Sequence, residues 1–162
     1  MAVSCPTMEY LELFGQVRRR PGMYVGSESF DSVSAWVDGF DMGRSGGVLV
    51  GFKEWLTVRA DGGNNLAWTA LVRLLAGGDP DTWTSLENRK AVDLMFALIE
   101  AFARERAKRG LRAVLHDYQR WLWKQSWYDA KRPDWIAPPR SRAKPGKRRR
   151  PTVQASRPRP RR

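Results

Sequence analysis

The 162-residue chain has almost no cysteine or histidine: one of each, Cys5 and His116. A single cysteine makes no intramolecular disulfide, and one Cys with one His falls short of a tetrahedral zinc set. No local signature surrounds either residue, so both read as ordinary side chains, a terminal thiol and a helix-surface imidazole, rather than a nucleophile pair. Also missing is an apolar run that could cross a bilayer. The longest, Ala91 to Ala103, is broken by Asp93 and Glu100, whereas a span needs about 20 predominantly apolar residues. The N-terminus carries Glu9 and Glu12 where a signal peptide would be apolar,. These absences predict a soluble cytoplasmic protein with no transmembrane segment.

Acidic residues are nearly absent from one region. Residues 131–162 hold 13 Lys+Arg and a single acid, Asp134, whereas residues 1–130 hold 16 of each sign. The formal net charge of +12 therefore belongs to the tail, and the body is neutral. Seven of the ten prolines lie in the same 32 residues. Such a segment buries too little apolar surface to offset its ordering entropy, which predicts a disordered, extended tail. The expected organisation is a globular domain over 1–130 and a Pro/Arg-rich tail over 131–162.

Period-two alternation is missing beyond Met23–Val25, and the remaining apolar spacing is helical. Tyr10, Leu11, Phe14 and Val17 predict a first helix over about Met8–Arg19, ended by Pro21-Gly22. Phe30, Val33, Trp36, Val37 and Phe40 predict a second, capped by Ser29 or Asp31. Val48, Leu49, Phe52, Trp55 and Leu56 predict a third. A fourth, capped by Asn64, carries Ala67, Trp68, Leu71, Leu74 and Leu75 and closes at Gly77-Gly78. Thr84 and Glu87 have capping-box spacing and open the strongest helix, with Leu86, Leu94, Met95, Leu98, Ile99 and Phe102 on its apolar side. A sixth runs from Leu111 to about Tyr128. Trp36, Trp55, Trp68 and Trp83 are expected in the core. The fold class is all-α, a single domain of about five to six helices.

Arg18-Arg19-Arg20-Pro21-Gly22-Met23-Tyr24-Val25-Gly26 resembles a segment near the N-terminus of type II topoisomerase ATPase subunits. The likeness covers about 25 residues. Gly39 stands where that family has its magnesium–nucleotide Asn, Ser34 or Ala35 stands near its Glu, and Asp61-Gly62-Gly63 is a partial version of its adenine-binding motif. The preferred reading is structural: arginines at a helix C-terminus complement the dipole, and Pro-Gly turns the chain. The alternative makes Arg18–Arg20 a partner surface.

A second resemblance covers residues 8–103. The same turn is followed by Ser29-Phe30-x-Ser32-Val33-x-Ala35-Trp36-Val37-x-Gly39-Phe40, then by Gly51-Phe52-x-Glu54-Trp55-Leu56 and Asn65-Leu66-x-Trp68. In this order the chain resembles small bacterial proteins similar to immunity proteins of polymorphic toxin systems. The resemblance implies toxin binding without catalysis, and the basic tail departs from it.

Two constellations remain. Lys147, Arg148, Arg149 and Arg150, with Arg157, Arg159, Arg161 and Arg162, put dense cations on a proline-extended chain. Phosphate neutralisation releases counterions, so this tail suits nucleic acid or another polyanion without sequence preference; a solvated tail or an anionic membrane surface are the alternatives. Within the body, Arg104, Arg106, Lys108, Arg109, Arg112, Arg120 and Lys124 make the 104–124 end basic. Trp123 and Trp127 sit four apart beside Arg120 and Lys124, which suits either a partner-binding face or the last layer of the core. Asp38/Asp41 and Asp79/Asp81 read as caps and solvated faces. No cofactor is expected. The resulting expectation is a non-enzymatic interaction protein, immunity-like or accessory, that binds a protein partner through its body with the tail as a tether. The alternative is a nucleic-acid-associated protein using the tail and the basic end.

Overall fold

One long helix organises everything else. The computed structural model describes residues 6–128, and all of them that are in regular structure are helical. The seven α-helices are α1 (Pro6–Arg19), α2 (Pro21–Val25), α3 (Phe30–Gly43), α4 (Phe52–Ala60), α5 (Trp68–Ala76), α6 (Ser85–Arg109) and α7 (Leu111–Leu122). A 3-10 turn, Pro80–Thr82, precedes α6. The predicted all-α class is what the chain adopts. The basic tail from 131 onward lies outside the described residues.

Helix α6 starts where the sequence says it should. The Thr84 hydroxyl accepts from the Glu87 amide while the Glu87 carboxylate accepts from the Thr84 amide at 2.7 Å. This reciprocal pairing satisfies two otherwise unbonded donors and contributes about 1 kcal/mol. Along the helix, Ala91, Val92, Met95, Phe96, Ile99, Phe102 and Ala103 recur at three- and four-residue spacing and are buried. Helices α1, α3, α5 and α7 pack on α6, and α4 lies between α5 and α7. Phe30, Phe52, Phe102, Leu56, Leu71, Met95 and Ile99 fill the centre. Each removes roughly 1.5–3 kcal/mol of apolar exposure. Trp55 is buried there as expected; Trp36, Trp68 and Trp83 pack against the core but stay half-buried.

Several predicted boundaries shift. Pro21-Gly22 does end α1, yet it also starts α2: Pro21 occupies the first turn, where its fixed φ suits a helix,. The left-handed glycine is Gly26 (φ 75°), which closes α2. Helix α4 begins at Phe52 rather than Val48, because the Asp41 carboxylate accepts from the Val48 and Leu49 amides at 2.8 and 3.0 Å. Those donors are held outside any helix, and Gly51 (φ 85°) then turns the chain in. Its backbone meets α7 so closely that a Cβ would sit 2.5 Å from Leu111 Cδ1. Helix α5 is preceded by Ala67, not capped by Asn64, and its buried residues are Leu71 and Val72 while Leu74 and Leu75 are exposed. Leu86 is exposed too, since it falls on the solvent side of the first turn of α6.

The largest correction concerns α7, which stops at Leu122 rather than near Tyr128. Beyond it, Lys124 and Gln125 donate to the carbonyls of Trp121 and Leu122, tightening the chain into turns. No glycine or proline marks this stop. Trp127 instead folds back edge-on to Trp121, with ring centroids 6.3 Å apart.

Candidate interaction surface

The end of α7 is built around Trp121. Its indole N–H donates to Asp61 Oδ1 at 2.7 Å, joining α7 to the end of α4. Tyr118, one turn earlier, stacks on the same ring at 6.0 Å and 15°. Trp127 meets Trp121 edge-on, and Tyr128 meets Trp127 at 88°. The Tyr128 hydroxyl donates to Gln119 Oε1, which returns the chain to the helix. Burial holds the Tyr118 hydroxyl pKa above its ordinary value, with Glu54 adding to the shift.

The four expected partner-binding residues, Arg120 in the last turn of α7 and Trp123, Lys124 and Trp127 beyond it, are all exposed. Trp123 is 38 % exposed and Trp127 57 %, so neither completes the core. They do not form a helical ladder: Trp127 leaves the helix and belongs with Trp121 and Tyr128. The eight tail cations named above lie outside the described residues.

The 104–124 basic end divides. Arg104 pairs with Glu100. Arg106 donates to the Gly47 and Val50 carbonyls and lies 5.1 Å over the Phe102 ring. Arg109 bridges Glu105 and, at 2.6 Å, Asp117. Arg106 and Arg109 hold α6 to the α3–α4 connection and to α7, whereas Arg104 stays largely exposed and pairs within α6. Lys108, Arg112, Arg120 and Lys124 make no ion pair among the described residues and are exposed.

Glu105 is the centre of that junction. The Trp55 indole N–H donates to it at 2.9 Å and Arg59 approaches to 4.0 Å while lying 3.9 Å over the Trp55 ring. The indole hydrogen bond, reinforced by Arg109 and Arg59, holds the Glu105 carboxyl below its ordinary pKa. The Asp117 hydrogen bond and that of Glu105 raise Arg109. A cleft of about 200 Å³ opens here between Trp55, Val58, Arg59, Glu105, Val114 and Asp117.

Three tryptophans thus share one device: Trp55 with Glu105, Trp121 with Asp61, and Trp68 with Asp38 at 2.8 Å. Each indole packs its rings, buried for Trp55 and Trp121 and half-buried for Trp68, while handing its one donor to a carboxylate of another element, which removes the penalty of an unpaired N–H,. The expected solvated face of Asp38 and Asp41 is therefore corrected: both carboxylates hold neighbouring segments. The partners lie 30 to 60 residues apart, so no spacing rule exposes them. The reading of Asp79 as a cap holds, since it accepts from the Asp81 amide.

Among the described residues no three His, Cys, Asp or Glu side chains come together as a metal site, and no helix is long and apolar enough to cross a membrane. His116 is half-buried on α7, with a buried Nε2 that has no hydrogen-bond partner. Neither a family model, nor a curated protein, nor a solved structure matches this chain.

Proposed function

We propose that the chain is a non-enzymatic interaction protein that binds a protein partner through the turn after α7, with the basic tail adding electrostatic tethering. The observation that carries this reading is the exposure of Trp123 and Trp127 on a turn whose base is anchored. The exposed parts of the two indoles forfeit a share of the roughly 1.5–3 kcal/mol that full burial of a large apolar side chain contributes, which a partner would recover,. Trp and Arg are the residues that dominate binding energy at interfaces, above all when the scaffold beneath them is rigid. Arg120 and Lys124 supply a cationic rim.

The resemblance to immunity proteins supplies a partner class, a toxin protein, held in the cytoplasm. A nucleic-acid role through the tail and the basic end is the second reading. It draws less from the body, because Arg106 and Arg109 are engaged with the α3–α4 connection, Glu105 and Asp117, and Arg104 pairs with Glu100 on its own helix.

The test is co-purification of the full chain, a 1–136 truncation and Trp123→Ala/Trp127→Ala, each with and without nuclease. A protein partner should persist with 1–136 and fall by tenfold or so with the double variant, as for two interfacial tryptophans. Recovery of nucleic acid alone, lost on truncation, would overturn the proposal in favour of the second reading.

A further inference from the structure

We propose that the corner formed by the end of α1 and the short α2 is a second docking site, for an acidic protein segment that also offers an apolar side chain. It goes beyond the α7 surface. Arg18 pairs with Asp93 midway along the first part of α6, and Asp93 to Arg109 is about 24 Å at 1.5 Å per helical residue,.

Three arginines end α1, and the structure separates their roles. Arg18 Nε donates to Asp93 Oδ1 at 2.9 Å, and Arg89 reaches the same carboxylate at 3.5 Å. Arg89 also donates to the Arg18 carbonyl at 2.9 Å, so the negative end of α1 already receives a cation from α6,. The Arg20 amide closes onto the Gln16 and Val17 carbonyls. Arg19 and Arg20 are therefore not needed as caps. Both side chains are exposed, and neither makes an ion pair among the described residues. Glu28, which lies beside Gly22, pairs with neither.

Beside them stand two large side chains that the core does not use. Met23 is 74 % exposed and Tyr24 42 %. The Tyr24 hydroxyl donates to Gln16 Oε1 at 2.9 Å, which ties α2 back to α1 and fixes one wall. Pro21 is buried beneath, and the left-handed Gly26 closes the short helix. Gln16, Arg19, Arg20, Met23 and Tyr24 together line a cleft of about 340 Å³.

The charge selects an acidic occupant, because two guanidiniums with no internal counter-ion present paired donors to carboxylates. The remaining chemistry selects a protein over a nucleic acid. Methionine adapts to irregular apolar side chains, as on promiscuous peptide-binding surfaces. Single strands instead ask for flat stacking platforms and a long cationic groove. Here there are two cations and one tyrosine, its hydroxyl already committed.

The test uses the full chain, tail included, with a fluorescein-labelled peptide of alternating glutamate and leucine pairs and, separately, a single-stranded oligothymidine. Arg19→Glu/Arg20→Glu should lower peptide affinity about fivefold and change oligothymidine affinity less than about twofold, as expected for two rim charges. Arg19→Lys/Arg20→Lys should restore most of the loss. Met23→Ser, which alters no charge, should lower peptide affinity about twofold at an unchanged salt dependence. Amide shifts on peptide addition should gather at residues 16–25. Trp123→Ala/Trp127→Ala should leave peptide binding as it was, which keeps this site separable from the α7 surface. Equal peptide affinity in parent and charge-reversed chains, or shifts confined to the tail, would overturn the proposal. A parallel fall for oligothymidine would reassign the corner to nucleic acid and overturn it likewise.

Discussion

At the C-terminal end of α6, Arg106 and Arg109 reach neighbouring elements, while Arg104 pairs with Glu100 within the helix. Some 24 Å away, beside Asp93, the arginines of α1 are divided, one held and two left in solvent,. In sequence the first region is a cationic surface and the second a set of helix caps. In space each region divides: Arg106 and Arg109 in the first and Arg18 in the second are held by other elements, and the remaining cations face solvent. A cation count reports how much charge a segment carries. Whether that charge faces outward depends on carboxylates and carbonyls from other elements, such as Asp117, Gly47 and Asp93.

The two regions also differ in how much room they leave for an added side chain. Gly51 has φ 85° and leaves no room before Leu111, whereas Gly22 has its nearest contact for an added Cβ at 3.9 Å. Gly51→Ala should therefore lose about 3 kcal/mol, from left-handed strain plus displacement of Leu111. Gly22→Ala should be neutral or gain up to about 1 kcal/mol, because it restricts the unfolded chain at a helical position. Urea denaturation of both variants checks the contrast. Equal losses would mean that the α1–α2 corner is as tightly packed as the α4–α7 junction.

The next largest effect is electrostatic. Glu105 has its folded-state pKa lowered from 4.5, first by the Trp55 indole and then by Arg109 and Arg59. Its contribution to stability is thus fully present above the ordinary carboxylate value and is lost as pH falls through the lower folded value. Glu105→Gln should lower stability near neutral pH by about 1 kcal/mol and flatten the decline in acid. Thermal melts of parent and variant between neutral pH and pH 3 should converge toward the acid end. A constant difference across that range would show that the charge of Glu105 does not contribute.

The smallest effect sharpens the comparison most. Arg109→Ala removes a bridge between two carboxylates and should destabilise by about 1 kcal/mol, less at high salt. Arg19→Ala and Arg20→Ala should each stay within about 0.5 kcal/mol, as for surface residues without partners. A larger loss for Arg20 would make it part of the fold rather than part of a docking face.

The capping box at Thr84 and Glu87, a cap at Ser29 or Asp31, and the α6 stripe from Met95 to Phe102 were legible in the sequence. Each is encoded by residues within a turn or two of one another. The end of α7 was not. Apolar spacing runs on through Trp123 and Trp127 and no breaker intervenes, yet the chain leaves the helix after Leu122 and Trp127 packs against Trp121. The sequence left Trp123 and Trp127 open between a partner-binding face and the last layer of the core; the structure puts them, exposed, on a turn beyond the end of α7.

Sequence by itself determined the class of fold and the neutrality of the body, because helical periodicity and net charge are sums over local residues. It also put the excess cations in residues 131–162. Tertiary structure alone decided which acids hold an indole, which arginines reach solvent, and where α7 stops. Those outcomes depend on pairs such as Trp121 with Asp61 and Arg18 with Asp93, separated by 60 and 75 residues. A hydrogen bond between such distant residues is defined only once the core has placed their helices side by side.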